Sequence, residues 1–158
     1  MTACGYRVGG QGASLPTEIK VIAVPAFENR TPWMRLEQRL TAAVMQEFIH
    51  RSRYRVVGKE QDADAVLRGA VTSATTTPVI FAPETGRASA VQVAVRVSVE
   101  LRDRRTRATL YANRDFVFRE QYEISSDLDS FFEERDPALD RLARDFAASL
   151  VSAVLENF

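Results

Sequence analysis

Between Val91 and Leu101 apolar residues occupy every second position. Val91, Val93, Val95, Val97, Val99 and Leu101 alternate with Gln92, Ala94, Arg96, Ser98 and Glu100. A period of two predicts a long strand with one face on a core and the other toward solvent. The polar run Asp103–Arg107 predicts a turn, and Ala108–Tyr122 a returning strand with Phe116 and Phe118 on one face. So short a connection makes the two strands an antiparallel pair. Upstream, the apolar run Ile19-Lys20-Val21-Ile22-Ala23-Val24 predicts a strand within Glu18–Pro25, buried on both faces and ended by Pro25. Tyr54–Gly58 and Ala63 to about Thr76 read as further strands, with Pro78 and Pro83–Gly86 marking a loop.

Two segments carry the helical period instead. Trp33, Leu36, Leu40, Val44 and Phe48 recur at spacings of three and four, which predicts a helix ending near His50. Thr31 is placed to cap it, with Pro32 at the first helical position. Leu139, Leu142, Phe146, Leu150 and Val154, reinforced by Ala143, Ala147 and Val151, predict a last helix that starts at Asp136-Pro137 by the same logic. Each apolar stripe needs a surface to bury against, and a half-buried sheet supplies it. The expected fold is α+β: a two-layer sandwich of two amphipathic helices on one face of a mostly antiparallel, four- to five-stranded sheet, in the order β-α-β-β-β-β-α. Residues 18–158 form its single domain. Residues 5–17 are glycine-rich and aperiodic, as a flexible tether would be.

Composition narrows the function. An apolar content of 46% and a charged content of 27% are ordinary for a globular domain and argue against disorder. Twenty-one basic and 21 acidic residues cancel, so no net field draws the chain toward nucleic acid. No apolar run approaches the roughly 20 residues needed to cross a bilayer. One cysteine and one histidine leave no internal disulfide, no Cys–His pair and no metal-ligand spacing. No Gly-x-Ser-x-Gly elbow or phosphate-binding glycine loop is present. Glu133 and Glu134 could do acid–base work, but neighbouring carboxylates on a polar stretch are more simply a soluble surface. No catalysis and no cofactor are expected.

The lone cysteine is informative by position. Met1-Thr2-Ala3-Cys4-Gly5 reads like the end of a lipoprotein signal, where small residues precede the cysteine that receives lipid. The expectation is that the natural signal has been removed and a start methionine put in its place.

Cys4-Gly5-Tyr6, Leu15-Pro16, Ile22-Ala23-Val24-Pro25 and Phe27-Glu28-Asn29-Arg30-Thr31 together resemble the start of LptE-family lipoproteins. The resemblance continues through Leu36-Glu37 and Leu40-Thr41 to Ala63-Asp64-Ala65-Val66-Leu67-Arg68-Gly69. It extends to Val99–Asp103, Phe118–Tyr122 and the acidic approach to the last helix. It implies a periplasmic domain held at the outer membrane by lipid on Cys4, in complex with an LptD-like β-barrel that it plugs, and engaged in lipopolysaccharide assembly at the outer leaflet. Gly5, rather than aspartate, after the cysteine fits export to the outer membrane. The chain departs from the family at Thr106-Arg107, where Thr-Gly is common. The phenylalanine–asparagine–threonine loop and the Ala63–Gly69 strand are also similar to lipoproteins of the CsgG and LpoB type, which serve secretion or cell-wall synthesis.

Candidate contacts for lipopolysaccharide or the barrel are Arg102, Arg104, Arg105 and Arg107, around one hairpin turn. Arg87 joins them if the other long loop lies at the same end of the sheet. Guanidinium forks suit phosphates, although charge runs are usually no more than solvated surface. Val79-Ile80-Phe81-Ala82 is either the continuation of a strand or an exposed apolar contact. His50 suits a helix C-terminus, and Asn29-Arg30-Thr31 matches a glycosylation sequon by accident.

Overall fold

The computed structural model describes residues 15–123 and 128–156, the side chains of 128–134 excepted. The elements are β1 (Val21–Ala23), β2 (Glu28–Asn29), α1 (Leu36–Arg51), β3 (Arg55–Val57), β4 (Ala65–Phe81), β5 (Ala88–Asp103), β6 (Thr109–Glu123) and α2 (Leu128–Glu156). A single 3-10 turn, Glu60–Asp62, lies between β3 and β4. The sheet runs β3-β1-β4-β5-β6, and β2 pairs with β4 farther along the edge that β1 occupies. β1 is parallel to β3 and β4, because α1 carries the chain back across the sheet. The three long strands β4, β5 and β6 form an antiparallel meander. The expected α+β architecture is therefore present, with two helices against a mostly antiparallel sheet.

The alternation read from β5 is a burial pattern. Val91, Val93, Val95, Val97, Val99 and Leu101 are all buried. The stripe of α2 meets them, with Leu139, Leu142, Phe146, Leu150 and Val154 in the same core. Leu36, Leu40, Val44 and Phe48 bring α1 into it. Polar contacts fix the two helices side by side: Arg39 pairs with Asp136 (3.1 Å) and Asp140, and Arg51 donates to the Ser152 hydroxyl at 2.7 Å.

Phe146 is the hub of an aromatic cluster. Its ring meets Phe118, Phe116 and Phe27 edge-to-face, with centroids 5.1, 6.1 and 6.3 Å away. Phe116 and Phe118, two residues apart on one face of β6, stack at 5.5 Å. Phe27 also lies flat over Gly69 on β4, where a Cβ would come within 2.6 Å of its ring. The glycine is needed there for space.

Four boundaries differ from the sequence expectation. Helix α1 starts at Leu36, not at Pro32. The Asn29 side chain holds the intervening residues in a turn instead. Its Nδ2 donates to the Trp33 carbonyl (2.7 Å) and Glu37 (2.8 Å), and its Oδ1 accepts from the Thr31 amide and hydroxyl. The Thr31 oxygen accepts from the Trp33 amide (3.2 Å) inside this turn, ahead of the helix, and Arg35 enters the helix left-handed at φ 64°.

Helix α2 starts at Leu128 and contains Pro137. Asp136 pairs with Arg39 rather than starting the helix. Strand β4 continues past Thr76 through Pro78 to Phe81. Pro78 is tolerated because no strand among the described residues lies on that side of β4 beyond Val71, so its missing N–H costs no ladder bond. Leu15, in the stretch read as tether, is 1% exposed and part of the core.

Gly69→Ala should destabilise the fold by about 1–3 kcal/mol, the usual cost of forcing a methyl into a packed site. Urea unfolding of the variant beside Phe27→Leu/Gly69→Ala tests the cause. The double change should recover part of the loss if the ring is the obstacle.

Candidate functional site

The arginine-rich turn joins β5 to β6 and is built around Asp103, which is only 7% exposed. Its Oδ1 accepts from the amides of Arg105 (2.8 Å) and Thr106 (3.1 Å). The Thr106 bond, then that of Arg105, hold the carboxyl below its ordinary range against the opposing effect of burial. The chain then closes with Arg107 left-handed at φ 60°, its amide bonded to the Asp103 carbonyl. Arg107 thus adopts a conformation that glycine would take freely.

Asp64 organises the neighbouring edge. Its Oδ2 accepts from the amides of Lys20 and Val21, both at 2.9 Å, and so joins the start of β1 to the start of β4. Those two bonds lower its pKa, Lys20 first. Its carbonyl accepts from the Arg104 amide at 2.9 Å, which joins the turn to the same corner.

Two open clefts flank Arg104. One, about 540 Å³, lies between the turn and Glu18, Ile19 and Asp64. The other, about 270 Å³, is lined by Glu60, Arg68, Glu100, Arg102, Arg104 and Arg107. Most of these charges already have partners. Arg68 pairs with Glu60 through two bonds (2.9 and 2.7 Å), Arg102 with Glu100 (2.7 Å) and Arg105 with Glu18 (2.8 Å). The Arg68 bond lowers the Glu60 pKa, and the Arg102 bond, followed by one from Thr109, lowers that of Glu100. Arg104 donates to the neutral carbonyls of Gln61 (3.1 Å) and Ala63 (2.9 Å) and makes no direct ion pair among the described residues, although its charge reaches Glu60 across the cleft. The Arg107 guanidinium has no ion pair or hydrogen bond among the described residues.

The structure thus gathers Arg102, Arg104, Arg105 and Arg107 at one end, and leaves Arg87 at the other. Arg87 follows the β4–β5 loop, and β5 separates it from the turn by about 50 Å at the usual strand rise. Glu60, Arg68 and Glu100 were not singled out in the sequence. The pairing of Arg68 with Glu100 across β4 and β5 brings them in, a register that no single strand reveals. His50 is an exposed residue in the last turn of α1. Cys4, and the side chains of Glu133 and Glu134, lie outside the described residues. Among the described residues no group of histidine, cysteine or carboxylate side chains could hold a metal. No helix there is long and apolar enough to cross a membrane.

Both helices lie on one face of the sheet and open, charged clefts lie at one end, a two-layer α+β arrangement. Solved structures share this fold. Lipoprotein B of Nitrosomonas europaea has a TM-score of 0.59 at 14% identity, covering 96% of this chain and 90% of that one. PelC of Paraburkholderia phytofirmans, a dodecamer, has a TM-score of 0.56 at 17% identity, covering 92% and 95%. A minor lipoprotein of Acinetobacter baumannii has a TM-score of 0.51 at 11% identity, covering 87% and 92%. At such identities the likeness is one of fold alone. No curated protein matches the sequence. The family itself is plain: residues 19–154 match LptE, lipopolysaccharide-assembly, and the chain belongs to that family.

Two variants probe the corner. Arg107→Gly should raise stability by about 0.5–1 kcal/mol, because it removes a left-handed arginine. Chemical unfolding should show it as a higher midpoint with an unchanged slope. Asp64→Asn should cost on the order of 1–2 kcal/mol at neutral pH through weakened bonds to two amides. Because folding lowers the Asp64 pKa, its contribution is present above the unfolded value near 3.9 and is lost as pH falls through the folded value. The gap between wild type and variant should therefore close in acid; a gap constant from pH 7 to pH 2 would refute this role.

Proposed function

We propose that this protein is a lipid-anchored partner of an LptD-like outer-membrane β-barrel, which it plugs while lipopolysaccharide is assembled at the outer leaflet. The observation that carries the reading is the family match through residues 19–154. Lipid on Cys4 would hold the domain at the periplasmic face of the outer membrane, since stable anchoring takes two acyl signals and no described helix spans a bilayer. The family is non-enzymatic, and the role assigned here is binding and assembly without turnover.

Arg104 and Arg107 are the strongest candidates for phosphate contact at the turn. Neither makes a direct ion pair among the described residues, whereas Arg102 and Arg105 each have a carboxylate partner. Arg87 would meet a different part of any large partner.

The motifs shared with CsgG- and LpoB-type lipoproteins do not separate the two readings. Phe27, Asn29, Asp64 and Gly69 all have structural work here, and the same fold needs it whatever the partner. The test is purification of the full-length, lipidated protein from its native outer membrane in mild detergent. A stoichiometric LptD-like barrel is expected; a secretion channel or cell-wall synthase in its place would overturn the assignment. An Arg104→Gln/Arg107→Gln variant should keep the barrel and retain several-fold less lipopolysaccharide.

A further inference from the structure

The far half of β4 is an unusual edge. One side of it pairs with β5 along its length, from Ala65↔Asp103 to Phe81↔Ala88. The other side pairs with β1 and then β2 only as far as Asn29↔Val71. From Thr72 to Phe81 no strand among the described residues occupies that side, and from Thr75 onward every side chain is exposed. The neighbouring β5 residues Val91, Val93 and Val95 are buried, so the covered part of the sheet stops one strand short of its border.

Exposed edges are normally blunted with charge, proline or bulges. Outer strand β6 follows that rule, with Arg114, Asp115, Arg119, Glu120 and Glu123. The β4 edge lacks charge, with none between Arg68 and Glu84, and is guarded by Pro78 and the register shifts beside it, which leave Ser73–Thr77 regular. At its end Val79, Ile80 and Phe81 are 40%, 50% and 57% exposed.

We propose that Thr72–Phe81 is a docking edge that accepts an extended, uncharged strand from a partner protein, with Val79–Phe81 seating the apolar end of that strand. The chemistry selects the occupant. Strand backbone alternates its N–H and C=O groups between its two sides, and Pro78, lacking an N–H, fits the open side. Thr76 and Ala74 share its alternation, since no register shift intervenes between Ser73 and Pro78. Their N–H groups therefore face outward. Acyl chains offer such groups no hydrogen bonds, whereas a strand offers one for each.

A second copy fits less well. Pairing about a two-fold axis would meet each irregularity twice: Pro78, and the register shifts after Val71, Pro78 and Ile80. A foreign strand meets each once and can be offset to avoid β2.

A photo-crosslinking residue placed at Thr75 or Thr77 tests this in the full-length, lipidated protein in its native envelope. Both side chains are exposed and lie off the outward-facing backbone positions. Adducts from both sites are expected within a few residues of each other on one extended segment of one protein. Thr76→Pro removes an outward N–H without touching the β5 ladder, and should reduce adduct yield at least tenfold while circular dichroism stays unchanged. If that variant does not fold, Ile80→Lys/Phe81→Lys, at positions already exposed, should give a loss of similar size. Adducts only with lipid, with a second copy or with residues 1–14 of the same chain would overturn the proposal. So would no adduct at all, or a yield insensitive to the folded variants. Whether the donor is an LptD-like barrel is read separately from its identity: another donor keeps the edge and removes the barrel assignment.

Discussion

The contact between Phe27 and Gly69 holds the two halves of the domain in one register. Phe27 sits in the short link between β1 and β2, and its amide donates to the Thr41 hydroxyl of α1 at 3.0 Å. Its ring covers Gly69 on β4 and meets Phe146 on α2. One residue thus reaches α1 through its amide, and α2 and the central strand through its ring. Shifting β4 by one residue would bring a larger side chain under the ring and turn the alternating faces inside out. The parallel half of the sheet, β3-β1, and the antiparallel meander are aligned through this one contact and the pairing around it.

The residues that look most like a signature are explained by the same geometry. Asn29 has its amide fully engaged by Trp33, Glu37 and Thr31. Asp64 gathers the entering chain and Arg104 carries the turn to it. Thr41 links a loop to a helix. These are requirements of a chain that must cross over a helix and return parallel, and they are compatible with many partners. Specificity must therefore lie in what the domain leaves exposed: the charged end around Arg104 and Arg107, and the uncharged far edge of β4. The turn lies about 20 Å from the near end of that edge and about 50 Å from its far end at the usual strand rise, so both can be engaged at once by one large partner or by two different ones.

The alternation of β5 and the helical stripes of α1 and α2 were legible because they are local. Their period appears along the chain itself and survives any arrangement that buries one face. Strand β2 was not legible, being two residues whose pairing exists only because β4 lies beside them. The helix starts were misread for a related reason. Thr31 and Asp136 have the right chemistry for caps, but the Thr31 oxygen closes a turn onto the Trp33 amide, and α2 already runs through Asp136, which faces Arg39. Val79–Phe81 carried both of its readings through: it is a strand, and it is exposed.

By itself the sequence determined the two-layer class, the faces of its long elements and the family, since each rests on patterns repeated over many residues. Tertiary structure decided which charges remain free. Arg102, Arg104, Arg105 and Arg107 look alike in a row, and only folding brings Glu100, Glu18 and the Gln61 and Ala63 carbonyls to three of them. It also decided that Arg87 lies apart, because a strand of sixteen residues stands between it and the others. Distance and partner are properties of the packed chain, and a run of like residues carries neither.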